Sequence, residues 1–342
     1  MNIYDISKLA GVSTATVSRV INGFDNVKPA TREKVLNIIA SQGYTPNAFA
    51  RGLGLNSMKT IGIMCADSSD MYLAKAVYYI EGALRENGYH CILTCTGYER
   101  KSQREALEML MSQHVDCIIL AGSIFIDKDD SNNKYIYKAA DSIPIMLLNA
   151  NLDHKNIYCI SCDDSAAMEK ATSWLLDNKR NNILYLYNSN SYSATKKLSG
   201  YRHAFEKKGL KCNEDYIRYF NGTSKDLEKV CGFVTDLADK GLKFNGVVAS
   251  EDFLAVGALK YAVRKGIKVP KDLEIIGYNN SVLTVCTEPE LSSVDNQLEI
   301  LCTNLVRICI GALSGENMPQ KTVFNGELIH RSTSVSSKKT KQ

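Results

Sequence analysis

A chain of 342 residues with 45% hydrophobic and 23% charged side chains has the composition of a globular protein with room for two or three domains. No apolar run approaches the ~18 residues of a membrane span, and the leading MNIYDISKLAG lacks the apolar stretch and cleavage site of a secretory signal, so a cytoplasmic protein with no membrane partner is expected. The net charge of +4 is unevenly placed: residues 1–60 hold seven Lys/Arg against three Asp/Glu and the rest of the chain is balanced, so a polyanion partner is expected for the first sixth alone.

In chain order, Ile6, Leu9 and Ala10 lie at helical spacing within residues 3–10, and Gly11 can supply the positive φ of a tight turn. Ser13 suits the N-cap of a second helix, and a third begins at about Thr31, buries Val35, Ile38 and Ile39, and stops at Gly43 before Pro46. From Thr60 short apolar strands alternate with amphipathic helices. Strands are expected at 61–65, 90–95, 117–121, 145–148, 183–187, 247–250 and 274–277, with helices at 76–87, 101–113, 164–178, 196–209, 226–240 and 252–265. Such alternation implies two doubly wound parallel sheets with sites at the carboxyl ends of their strands. The polar, basic tail 336–342 reads as disordered.

The 11 cysteines are odd in number and scattered through apolar strings, which reads as reduced core thiols. Cys159 and Cys162 are three apart, and in a strand they would point to opposite faces, so no metal site is expected there. The five histidines are dispersed and no phosphate-cradling glycine run is present; neither catalysis nor a cofactor is expected.

The run STATVSRVING at 13–23 is the most informative. Drawn as a helix, it gathers Thr14, Ala15, Ser18, Arg19 and Asn22 in one arc and Ser13, Thr16, Val17, Val20 and Ile21 in the other. The first arc is slim and rich in hydrogen-bonding groups, as a helix entering the ~12 Å major groove must be, and one Arg can grip guanine O6 and N7 together. A surface helix with small polar residues would look similar, but the preceding helix, the glycine turn and the local positive charge favour DNA.

Residues 3–53, IYDISKLAGVSTATVSRVINGFDNVKPATREKVLNIIASQGYTPNAFARGL, closely resemble the headpiece and hinge of LacI/GalR-family transcription regulators, and TIGIM, KLSGYRHAF, the run from Glu251 to Asn280 and ELIHRSTS extend the resemblance loosely to the end. The resemblance implies a helix-turn-helix headpiece at 1–45, a hinge helix and linker at 46–59, and an effector-binding and dimerisation body at 60–342. The body would comprise two lobes like those of periplasmic sugar-binding proteins: an N-lobe of about 60–160 plus 291–320 and a C-lobe of about 161–290 plus 321–333, followed by the tail 334–342. Base-reading positions of the family fall on Thr14, Ala15 and Arg19, and phosphate-contacting positions on Tyr4, Ser13, Ser18, Asn22 and Thr31. The hinge positions Asn47, Ala50, Arg51 and Leu53 would enter the minor groove, Leu53 as the wedge that kinks the site.

The resemblance also implies a small effector between the lobes, with contacts on Asp67, Tyr72, Leu73, Lys197, Asp252, Asn279 and Asn296 and an aromatic wall at Phe220. Carboxylates, amides and an aromatic face suit a sugar or sugar derivative. Departures from the family pattern cluster here. Asp67-Ser-Ser-Asp-Met-Tyr-Leu73 replaces Asp-x-Ser-Asn-Pro-aromatic-aromatic, Lys197 replaces an Arg, and Gly277-Tyr-Asn-Asn280 replaces Gly-aromatic-Asp-Asp. The expected protein is thus a homodimeric repressor on a palindromic double-stranded operator, controlled by a carbohydrate effector. A solute-binding protein without a regulatory role is the alternative, and it leaves the first 60 residues without a use.

Overall fold

The computed structural model describes residues 1–44, 57–222 and 226–335. Three helices open the chain: α1 (Ile3–Ala10), α2 (Thr14–Ile21) and α3 (Pro29–Ser41). Asn2 caps α1 by accepting the Tyr4 and Asp5 amides while Asp5 returns a bond to the Asn2 amide, which satisfies the open N–H groups at both ends of the first turn. Gly11 ends α1 at φ 66°, a left-handed conformation that a side chain would strain, and Ser13 caps α2 by accepting the Thr16 amide at 3.2 Å. α3 starts two residues before the expected Thr31 because Pro29 stands at its first turn, where its fixed φ suits a helix and its missing N–H costs nothing. Ile6, Ala10, Val17, Val20 and Val35 close a small core between the three helices.

The body follows. Its first sheet contains β1 (Thr60–Cys65), β2 (His90–Cys95), β3 (Cys117–Ala121), β4 (Ile145–Leu148), β5 (Ile157–Cys162) and β11 (Lys321–Phe324), in the order β11-β5-β4-β3-β1-β2. All of its pairs are parallel. α4 (Met71–Glu86), α5 (Arg100–Ser112), α6 (Lys134–Ala140) and α11 (Leu298–Leu313) pack around it. The second sheet contains β6 (Ile183–Tyr187), β7 (Ile217–Tyr219), β8 (Gly246–Ala249), β9 (Glu274–Tyr278), β10 (Ser292–Asp295) and β12 (Glu327–Ile329), in the order β12-β10-β9-β8-β6-β7. Only β12 runs antiparallel to its neighbour. α7 (Asp164–Asp177), α8 (Tyr192–Lys207), α9 (Leu227–Asp239) and α10 (Asp252–Arg264) flank this second lobe.

The expected lobe boundaries near the C-terminus need correction. Ser292–Asp295, expected in the N-lobe, pairs with β9 in the second sheet, and Lys321–Phe324, expected in the C-lobe, pairs with β5 in the first. The chain therefore crosses between lobes after β5, after β10 and between β11 and β12. SSVD and KTVF are too short and too polar to announce which sheet they complete; the hydrogen-bond ladders decide it. One buried apolar cluster, with members as distant as Ile61, Tyr185, Ile276 and Leu305, runs through both lobes. Asp116 fastens the start of the body by accepting from Ser57 Oγ and from the amides of Met58 and Thr60.

Helices α7 and α8 approach closely at Gly200, where an added Cβ would lie 2.1 Å from the Ser165 carbonyl oxygen. That contact is backbone and cannot step aside. Gly200→Ala should therefore destabilise the body by about 1–3 kcal/mol, read as an earlier urea midpoint at unchanged slope; a wild-type midpoint would show that the crossing relaxes freely.

Candidate functional site

The first candidate surface is the outer face of α2. Ala15 and Arg19 are exposed and Thr14, Ser18 and Asn22 half-buried, whereas Val17 and Val20 face the core; of the inner arc drawn from the sequence, Ser13 is exposed at the helix start and Thr16 and Ile21 are half-buried. The Arg19 guanidinium has no hydrogen-bond partner among the described residues; the Arg32 guanidinium, by contrast, is held by the Phe24 carbonyl. Tyr4 is 66% exposed, and its hydroxyl has no partner among the described residues. Ser13 serves as the cap of α2, with its hydroxyl 3.0 Å from Thr16 Oγ1, and Thr31 lies half-buried in the first turn of α3. Asn22 ends α2 with Nδ2 3.4 Å from Ser18 Oγ and its buried Oδ1 unpaired. The hinge positions Asn47, Ala50, Arg51 and Leu53, and the tail 336–342, lie outside the described residues.

The second candidate is a cleft of about 450 Å³ between the lobes. Its walls are the segments just beyond the carboxyl ends of strands: Asp67 after β1, Asn149 after β4, Asn188 after β6, Glu251 after β8, Asn279 after β9 and Asn296 after β10. Parallel sheets collect sites there because the loops and helix starts all emerge at that edge. Of the expected effector residues, Asp67, Tyr72, Leu73, Lys197, Asn279 and Asn296 line this cleft.

Two expected contacts are corrected. Phe220 is 5% exposed and packs in the core of the second lobe with its ring 5.5 Å from Phe233, while its neighbours Tyr219 and Gly222 line the cleft instead. Asp252 is 1% exposed and absent from this cleft's wall. Both of its oxygens serve the lobe itself, one accepting from Ser293 Oγ at 2.6 Å and the other from the Ser281 amide at 2.6 Å, so it fixes the loop after β9. Burial pushes its carboxyl up to about 6. It borders a second, wider cavity of about 1090 Å³ that shares Asp70, Tyr72, Glu251 and Asn279 with the cleft.

Tyr72 joins the lobes. Its hydroxyl accepts from Asn149 Nδ2 on its own side and, at 3.2 Å, from Asn296 Nδ2 at the end of β10; Asn296 Nδ2 also lies 3.3 Å from Asn279 Oδ1. Asn279 and Asn280 have φ values of 97° and 45°, in the region that Asn tolerates better than most residues. Burial pushes the Tyr72 hydroxyl well above its usual range, so it stays neutral and keeps its place in the bridge.

Lys197 is 8% exposed. Its Nζ donates to the Ser250 carbonyl at 3.0 Å and stands 3.8 Å over the Tyr278 ring, whose hydroxyl donates to Asp164 at 2.6 Å. The cation is thus held without a direct carboxylate partner among the described residues.

Glu251 was missed by the sequence reading. It precedes α10 and accepts from Asn188 Nδ2 at 2.6 Å. The acidic pair at the strand–helix junction could have signalled it, since only one of two consecutive carboxylates can cap inward. Burial, then the charge of Asp70 on the other lobe, push its carboxyl up to about 7.

Among the described residues no group of three or more His, Cys, Asp or Glu could hold a metal ion. Cys159 and Cys162 lie in different apolar clusters on opposite faces of β5. No helix among them is long and apolar enough to cross a membrane.

Comparison with known proteins decides the family. The model for bacterial regulatory proteins of the lacI family matches residues 2–47, and that for a periplasmic binding protein-like domain matches residues 172–334. An HTH-type transcriptional regulator of Lachnoclostridium phytofermentans is 48% identical over 333 residues, 97% of this chain and 99% of that protein. The chain belongs to the LacI family. It is a DNA-binding transcriptional regulator. The regulator AscG of Escherichia coli K12 is 30% identical over 97% of both chains. A LacI-family structure of the lac repressor dimer bound to operator and the anti-inducer ONPF superposes with a TM-score of 0.86 at 21% identity, over 98% of this chain and 99% of that one. The transcriptional regulator CelR in complex with cellobiose gives 0.70 at 25% identity, over 97% and 99%.

The raised Glu251 carboxyl has a pH consequence with a definite sign. In the unfolded chain it ionises near 4.5 and in the folded protein near 7, so folding favours the protonated acid. Stability is undiminished below the unfolded value and falls as pH rises through the interval between the two. Glu251→Gln, neutral throughout, should melt close to wild type at pH 5 and above it at pH 8; parallel melting curves across that range would contradict the assignment.

Proposed function

We propose that this LacI-family regulator is a dimeric repressor acting in the cytoplasm, in which paired headpieces grip a palindromic operator and a sugar or sugar derivative in the interlobe cleft sets the affinity. The observation that carries this reading is the joint presence of an exposed, unpaired Arg19 on a slim helix and a polar cleft bridged by Tyr72. One headpiece buries too little surface for tight specific binding, which favours two-fold pairing. The lac repressor dimer on operator and the CelR–cellobiose complex support the DNA, dimer and carbohydrate parts by likeness.

In this reading Arg19 contacts a guanine edge, Thr14 and Ala15 read thymine methyls and groove shape, and Tyr4, Ser13, Ser18, Asn22 and Thr31 contact phosphates. Asn47, Ala50, Arg51 and Leu53 enter the minor groove, with Leu53 inserted between central base pairs. The effector acts only through its different affinity for two lobe arrangements, which the Tyr72 bridge couples to the hinges.

The test is selection from a random DNA library at fixed salt with wild type, Arg19→Ala and Tyr4→Phe. Wild type should enrich a palindrome. Arg19→Ala should lose about 1–3 kcal/mol of discrimination at one symmetric base position, and Tyr4→Phe should weaken all sequences alike. Uniform loss in both variants would remove the base-reading role of Arg19.

A further inference from the structure

Asp70 and Glu251 face one another from opposite lobes. Asp70 caps α4 with Oδ1, which accepts the Leu73 amide at 2.9 Å, and Glu251 uses Oε1 to accept from Asn188 at 2.6 Å. Each keeps its second oxygen without a partner among the described residues. Both line the 450 Å³ cleft and the wider cavity beside it, so the pair stands where the two spaces meet. Asp67 adds a third carboxylate to the cleft wall, and Lys197 is its one cation among the described lining residues. Lys197 is already turned onto the Ser250 carbonyl and the Tyr278 ring.

Two further features point to a ligand. Asn296 is 2% exposed and lines the same cleft, yet its Oδ1 has no partner, an acceptor waiting for a donor. Tyr98 also lines the cleft and feels both carboxylates, which help burial push its hydroxyl up; an aromatic ring beside an acidic pair suits a cation.

We propose that the effector carries a protonated amine, seated between the unpaired oxygens of Asp70 and Glu251, so that the ligand class is an amino sugar or a similar hydroxylated amine. This rests on the cleft being the effector site. Like charges on the two lobes oppose closure; an ammonium between them converts the repulsion into two charge-assisted hydrogen bonds, one to each lobe. Closure is thereby tied to the charge of the ligand. An inorganic cation is the weaker occupant, since among the described residues no three His, Cys, Asp or Glu side chains, Asp67 included, are grouped so as to hold a metal ion.

The groups facing Glu251 are Asp70, Lys197, Asp252 and Asn188, with Tyr98 beside them. With its carboxyl near 7, Glu251 is partly protonated at neutral pH, so seating an ammonium expels a proton from it; binding tightens as pH rises from 6 toward 7 and weakens again at pH 8, where the free sugar amine itself loses its proton. A neutral sugar has neither signature.

The experiment is titration calorimetry of the full-length protein with matched pairs: glucose and glucosamine, galactose and galactosamine, cellobiose and its 2,2′-diamino counterpart, the fully deacetylated chitosan dimer. It is run at pH 6, 7 and 8 in buffers of different ionisation heat, with Mg²⁺ and Ca²⁺ as separate probes. The expected result is that an amine-bearing member binds at least about tenfold tighter than its neutral parent, releases protons at pH 7, and loses that preference in Glu251→Gln and in Asp70→Asn, which keeps a good helix cap. If a neutral sugar binds as tightly as its amine and Glu251→Gln leaves both unchanged, the amine assignment fails while the carbohydrate cleft stands. If no member of any pair binds, both readings fail. If Mg²⁺ or Ca²⁺ alone saturates the wild-type site and Glu251→Gln abolishes it, the occupant is an inorganic cation and the amine assignment is overturned.

Discussion

The Tyr72 hydroxyl, bonded on one side by Asn149 and on the other by Asn296, is the polar tie between the lobes at the cleft, on which the coupling proposed for the body depends. It sits where the carboxyl ends of the strands of the two sheets meet, and most polar groups that line the cleft stand on loops or helix starts leaving those strand ends. Buried polar groups are costly unless paired, so a bridge of one hydroxyl and three amides has few alternative arrangements. That gives the lobes discrete relative positions, which a ligand can bias. The three crossings of the chain between lobes, with β10 and β11 exchanged relative to the simplest reading, make both lobes share in any such shift.

Much of this was legible in the sequence, for identifiable reasons. Strands such as Cys117–Ala121 are buried on both faces and read as unbroken apolar runs, and the three headpiece helices announce themselves through Gly11, Ser13 and the stop at Gly43, although the third starts at Pro29 rather than at the expected Thr31. What escaped is equally physical. Leu298–Leu313 is apolar on nearly all sides because it lies between α4 and the first sheet, so it shows no clean helical stripe. The short α6 and the three- and four-residue edge strands carry too few residues for any period.

At the cleft the errors were displacements by one residue. Asp252, expected at the effector, borders the wider adjoining cavity while Glu251 lines the cleft, and Phe220, expected as an aromatic face, is buried while Tyr219 lines the cleft. A motif position locates a junction, but which of two neighbours turns inward is settled by packing: Asp252 is pulled to Ser281 and Ser293, and Phe220 to Phe233. In the headpiece the outer face is defined by what the small core leaves outside, and Ala15 and Arg19 lie on it.

The central claim is that cleft occupancy reaches the operator through the Tyr72 bridge. The direct measurement is operator affinity of wild type and Tyr72→Phe, each with and without a saturating cleft ligand, on DNA selected by the wild-type protein. Loss of the hydroxyl should leave ligand-free operator binding nearly intact and shrink the ligand-induced change in affinity severalfold. An unchanged ligand effect in Tyr72→Phe would contradict the account and place the coupling elsewhere between the lobes.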